Sequence, residues 1–404
     1  MATSYLPCLS SKCFDRDALI TSYFGQGFSN LEILGFLAAQ HDVFVSLSTL
    51  KRTLSKLGLY RRHPAKIEDR EEIKKLVSME LLGSGNSMGY RKVWNVIKNL
   101  GIPAKRATIM EIMRELDPEG VSTRSKRRLR RRVYTVPGPD HLWHIDGYDK
   151  LKPFGFSVHG CIDGFSRRII WLEVGVTNKQ PEVIAHYYIQ AVKQMNAVPL
   201  RIRSDDGTEN SIVEAIQIAL RSAHDDEFQG LASYLIGAST ANQRIESLWS
   251  QFRYDRIIWW RNFFKELVDF GLLDSGNPVI TECVRYSFIH LIRKDLKEFA
   301  ERWNKHILAP SSNKILPRGR PDTLYFVPEI FNSQSFRKEV DLAEVDEFDD
   351  PQFCVSLQDN SAEFLEFAKI VFEMNNGRSN RRPEKITEAF EVYISLLEAV
   401  NKYM

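Results

Sequence analysis

Residues 141–174 read HLWHIDGYDKLKPFGFSVHGCIDGFSRRIIWLEV. Three runs rich in Ile, Val and aromatics, HLWHIDGY, FSVHGCID and RRIIWLEV, are separated by short turns. Such runs predict three strands, and turns this short suit an antiparallel meander. Further along, PLRIRSD (199–205) and FQGLASYLIG (228–237) read as two more strands. Helical patterns occupy 181–195, 209–220 and 240–265. Strands that return after a helix suit parallel pairing, so the order predicts an α/β fold with a mixed five-stranded sheet and flanking helices.

Three acidic residues stand where apolar stretches meet polar breaks. They are Asp146 in HLWHIDGYD, Asp205 in IRSDDGTEN and Glu246 in TANQRIESLW. Asp146 lies within the first strand, Asp205 follows the fourth, and Glu246 lies early in a helix. Strand ends and helix starts around a mixed sheet can aim side chains at one point. Carboxylates that converge in this way suit hard divalent cations, which prefer oxygen ligands and can flank an in-line displacement at phosphorus. Taken singly, each acid fits a surface charge better than a ligand. No Ser-His-Asp or Cys-His arrangement offers a protein nucleophile. His141, His144 and His159 surround the first acid, but imidazole suits zinc better than Mg²⁺, so a core or hydrogen-bonding role is expected for them.

The words around the acids resemble the retroviral-type integrase core of D-D-E transposases and insertion-sequence elements. WHIDGYDKLKPFGFSVHGCIDGFSRRIIWLEV is similar to the family's opening hairpin, with Asp163, Gly164, Phe165, Ser166 and Arg167 at a DxxSR-like turn. IRSDDGTEN resembles the S-D-N-G-x-x-F segment, with Asp206 at the Asn, and NQRIESLW resembles the stretch that holds the catalytic Glu. The resemblance implies a ribonuclease H-like fold and a polynucleotidyl transferase. Asp146, Asp205 and Glu246 would then be the catalytic and metal-binding residues, holding two Mg²⁺ or Mn²⁺ ions. It also implies double-stranded DNA as substrate and a homo-oligomer. The sequence departs from the pattern in three ways. Forty residues lie between Asp205 and Glu246, the His-His-Cys-Cys zinc module is absent, and Asp206 adds a negative charge. A host protein derived from such an element, which binds DNA or partners without catalysis, is the alternative.

The rest of the chain divides by composition. Residues 1–62 predict a helix-turn-helix-like DNA-binding domain. Ser29 and Glu32 suggest a capping box, and Ser46 or Ser48 caps a third helix. Lys51, Arg52 and Lys56 lie away from that helix's leucine face, and Arg61 and Arg62 follow as further phosphate contacts. A plain three-helix bundle with a solvated side fits the same pattern. Residues 66–118 predict a second small helical domain. Residues 119–136 form a basic linker in which Arg127, Arg128, Arg130 and Arg131 could track phosphates or signal nuclear import. Residues 137–330 are the core with its helical extension, and 351–404 a C-terminal helical unit with no assigned role. On the helix of Glu246, Gln243, Arg253 and Arg256 are expected DNA contacts. Trp249, Trp259, Trp260 and Trp303 could stack on bases but fit a core better at helical spacing.

The net charge of +3 says little about partners, whereas its distribution says more. The basic run STRSKRRLRRRV (122–133) and the acidic run EVDLAEVDEFDD (339–350) suggest nucleic-acid contact on one part of the surface. Five scattered cysteines without a CxxC pair argue against a disulfide framework or a structural zinc site. The chain shows neither a signal-peptide layout nor a membrane-length apolar run, which predicts an intracellular protein without membrane contact. It would be nuclear in a eukaryote and cytoplasmic otherwise.

Overall fold

In the computed structural model, residues 15–60, 69–83, 85–125, 135–237, 242–308, 317–350, 357–374 and 383–403 are described. The first three helices are α1 (Arg16–Gly25), α2 (Asn30–His41) and α3 (Leu47–Lys56). The Ser29–Glu32 capping box forms at α2 as expected, and Ser46 rather than Ser48 caps α3 by accepting from Thr49 N. Their apolar faces meet in one cluster around Tyr23, Phe28, Phe36, Leu50 and Leu54. Val327, from far along the chain, completes that cluster. Gly35 admits it, since a Cβ there would lie 2.8 Å from a Val327 methyl. The helices α4 (Arg70–Leu82), α5 (Tyr90–Asn99) and α6 (Arg106–Leu116) enclose a second small cluster around Ile73, Val93, Ile97 and Ile109. The short α7 (Pro118–Ser125) leads out of it.

The sheet is built from β1 (Trp143–Tyr148), β2 (Ser157–Asp163), β3 (Ile169–Gly175), the short β4 (Ala197–Val198), β5 (Ile202–Ser204) and β6 (Tyr234–Ile236). Five of these form one sheet in the order β3-β2-β1-β5-β6. The first three strands are the antiparallel meander, and β1 pairs parallel with β5, as does β5 with β6. α8 (Pro181–Met195) and α9 (Ser211–Ser222) supply the crossovers. α10 (Gln243–Phe252) and α11 (Ile258–Asp269) are joined by a π-helical turn at Arg253–Ile257. The long α12 (Pro278–Lys305) then packs on β3.

After α13 (Pro321–Phe326), β7 (Lys338–Glu339) pairs with β4, and α14 (Leu342–Glu347) contacts α8. The last helices, α15 (Ala362–Met374) and α16 (Ile386–Tyr403), join the main hydrophobic core, α16 lying along α12. Tyr393 Oη donates to Leu272 O at 2.5 Å, and Arg293 grips Asp359 with two bonds. Among the described residues, no helix is long and apolar enough to cross a membrane.

Candidate active site

Asp146 lies on β1 opposite Gly160 of β2, and is partly exposed. Asp205 immediately follows β5, the parallel neighbour of β1. Glu246 lies in the first turn of α10 and is exposed. The three acids therefore come from two adjacent interior strands, β1 and β5, and from the helix that contacts β1. Each feels another's charge. Burial pushes the Asp146 carboxyl up to about 7, and the charges of Asp205 and Glu246 push the same way. Asp205 is raised by burial and by Glu209, with Lys179 opposing; Glu246 is raised by burial and by Asp205. Like charges held this close disfavour ionisation. Among the described residues, no three His, Cys, Asp or Glu side chains are gathered into a group that could hold a metal ion as they stand.

The helix under Glu246 is tied to β1 at two points. Asn242, just before α10, accepts from His144 Nδ1 at 2.6 Å and donates to Ile145 O at 2.9 Å. Trp249 Nε1 donates to Asp146 Oδ2 at 2.8 Å. The helix can come this near because position 160 is glycine: a Cβ there would lie 2.8 Å from the Trp249 ring. On the other flank, Lys179 pairs with the buried Glu209 at 3.1 Å, and Asn210 Nδ2 reaches Asp205 Oδ1 at 3.5 Å.

Residues 133–330 match the family model of the integrase core domain. The chain contains an integrase core domain. Its sheet order, mixed pairing and flanking helices are the ribonuclease H-like fold expected for this family. No curated protein matches the chain.

The remaining expected contacts around this integrase core fall into three groups. Lys51, Arg52 and Lys56 are exposed on α3, Arg253 is exposed, and Gln243 is half-buried at the start of α10. Arg61, Arg62, Arg127, Arg128, Arg130 and Arg131 lie outside the described residues. Arg256 is a correction: it is 3 % exposed, with its guanidinium 3.5 Å from Glu80 and 4.0 Å from Asp295. Ten residues past Glu246, it falls about 80° off that residue's face even at 3.6 residues per turn, and it lies within the π-helical turn at Arg253–Ile257. Asp255 beside it is buried too and pairs with Lys92 of α5. These residues dock the second helical cluster on the core.

His144 and His159 form hydrogen bonds, whereas His141 packs edge-on against Phe228 and Phe336. Burial holds His144 and His159 down to about 3, and Trp171 Nε1 donates to His159 Nδ1. Trp259, Trp260 and Trp303 are packed and bonded to Leu82 O, Asp295 and Arg167 O. Asn242 and the Trp249–Asp146 bond escaped the sequence reasoning. Their signal is visible in NQRIESLW: positions four before and three after Glu246 share its helix face.

Proposed function

We propose that this integrase core is a D-D-E polynucleotidyl transferase that cleaves DNA strands and joins them, with Asp146, Asp205 and Glu246 as its metal-binding carboxylates. One observation carries this: acids from β1, the end of β5 and the start of α10 lie within one another's electrostatic field, and burial raises all three. A donor set made only of carboxylate oxygens fits a hard divalent cation, and two like charges near Asp146 leave a deficit of positive charge there. Bound as a pair, Mg²⁺ or Mn²⁺ would activate a water or a DNA 3′-hydroxyl and stabilise the departing 3′-oxygen. The chain's own part is to hold the carboxylates on three elements, to keep Asp146 aimed through Trp249, and to offset Asp205 and Glu209 with Lys179. Exposed Asp206 adds charge beside Asp205 and takes a secondary role.

Double-stranded DNA would run across these acids, with α3 of the helix-turn-helix-like module presenting Lys51, Arg52 and Lys56 to phosphates, aided by Gln243 and Arg253. Work on paired DNA ends calls for a homo-oligomer, and in a eukaryote for the nucleus. The test is cleavage and strand transfer on candidate terminal repeats with Mg²⁺ or Mn²⁺. Asp146→Asn is expected to abolish both and to leave DNA binding intact; equal cleavage by the variant overturns the assignment. The second reading, a DNA-binding protein without catalysis, is favoured by the spacing of the acids, which are not gathered into a ready metal group. It predicts DNA binding by the wild type with no cleavage in either metal.

A further inference from the structure

We propose that Asn242 and Trp249 are positioning residues that hold the segment carrying Glu246 against the strand carrying Asp146, from which the two acids would close on a cation; this rests on the strand-transfer reading above. Asn242 occupies the position before α10 where an Asn side chain ordinarily caps the helix by accepting a backbone N–H. Here it makes no such bond. Its oxygen takes the His144 ring and its amide nitrogen takes Ile145 O, and it is 2 % exposed. The parallel pairing of β1 with β5 covers Trp143 and His144. One residue on, the carbonyl next to Asp146 is held by the helix through Asn242.

Two turns further along α10, Trp249 bonds the Asp146 carboxylate itself. Its indole cannot swing away. It packs at a tilt against Tyr148 and Phe252, with ring centres 5.0 and 5.9 Å away, and abuts Gly160. Glu246 is one turn from each tether, on the same face. The pair therefore fixes both ends of the segment that carries Glu246 against the strand that carries Asp146. Neither residue touches DNA or the reacting atoms in this account. Loss of either leaves the acids present and their separation free to drift. Groups that orient a metal-binding side chain commonly alter metal affinity 10–100-fold when removed.

The experiment uses the full chain and two variants. Trp249→Phe keeps the ring and drops the N–H. Asn242→Ser keeps a polar group before the helix and loses the reach to Ile145 O. Calorimetric titration with Mn²⁺ is expected to show affinity reduced about tenfold or more in each. Binding to duplex DNA without metal is expected to stay unchanged, and kcat for cleavage to fall while KM for DNA holds. A variant that binds Mn²⁺ as the wild type does, while the wild type cleaves, removes its residue from the proposal. Should Trp249→Phe not fold, Asn242→Ser decides alone. A wild-type chain that neither binds Mn²⁺ nor cleaves overturns the strand-transfer reading, and the positioning role with it.

Discussion

Two sets of acids sit on the same hairpin and meet different fates. Asp146, partway along β1, accepts a bond from one indole and faces two other carboxylates. Asp163, at the end of β2, is fully buried beside Asp140. Both are raised from the ordinary carboxylate range, chiefly by burial and also by a neighbouring acid. Their surroundings differ. Asp163 accepts from Asp140 N at 2.8 Å, Phe165 N at 3.2 Å, Ser166 N at 2.7 Å and Ser166 Oγ at 2.6 Å. Asp140 in turn accepts from Trp143, Tyr325 and Ser335. Beside them Arg168 meets Asp322 at 2.9 Å, both buried, tying the hairpin to α13. A raised carboxylate is thus no mark of a site in itself. At the hairpin's turn the acids are saturated with donors and hold the fold. At Asp146 the negative charge is left under-compensated, which is what a cation would exploit.

The contrast breaks most sharply by exchanging each acid for its amide. Asp146→Asn is expected to lose strand cleavage altogether while the melting temperature holds or rises, because a charge disfavoured by burial and by its neighbours is removed. Thermal unfolding beside a cleavage assay reads both. A variant that unfolds instead would move Asp146 into the structural group.

Next in size is Arg168→Met. Removing one partner of a buried ion pair strands the other, at a cost of about 3–5 kcal/mol. Urea unfolding measures it, and replacing Asp322 as well is expected to recover part of the loss. Little change from the single substitution would mean that the turn is not held by this pair.

Asp163→Asn is expected to cost on the order of 2–3 kcal/mol, since the amide turns an NH₂ toward donors that a carboxylate accepted. Activity per folded molecule is expected to stay. The pH dependence sharpens the point. Because the native pKa of Asp163 is raised, its contribution to stability is present below the ordinary value near 3.8 and lost as pH rises through the native value. The buried histidines act in the opposite sense. With native values of about 3, His144 and His159 contribute stability above their ordinary 6.5, lost as pH falls toward 3. Unfolding free energy of Asp163→Asn should therefore climb more steeply with pH than that of the wild type. An unchanged slope would show that this acid does not titrate between the two states.

The same hairpin shows what was legible in the chain. Runs rich in Ile, Val and aromatics and short turns announced β1 to β3, and the words around Asp146, Asp205 and Glu246 announced the elements that carry them. Arg256 was misread because its charge was taken as a mark of exposure, and nothing in RYDRI announces the π-helical turn or the pairing with Glu80 and Asp295. The packing of α15 and α16 into the main core was illegible for a different reason: an amphipathic pattern says that a helix has a buried face but not what covers it. Trp249 was legible as a buried residue, while its bond to Asp146 depends on the close approach that Gly160 permits.

The smallest effect extends the contrast to the first module. Lys51, Arg52 and Lys56 are exposed on α3, remote in sequence from the acids, and their part in the proposed activity is electrostatic alone. A phosphate contact shows itself in the salt dependence of binding, with each contact adding about 0.9 to the slope of log K against log salt. Changing all three to Gln is expected to lower that slope by up to about 3 and to weaken binding uniformly across DNA sequences, with stability unaltered. Fluorescence anisotropy across a salt series reads the slope directly. A slope identical to that of the wild type would leave α3 as the solvated side of a helix bundle, and would shift the search for DNA contacts to Gln243 and Arg253 beside the acids.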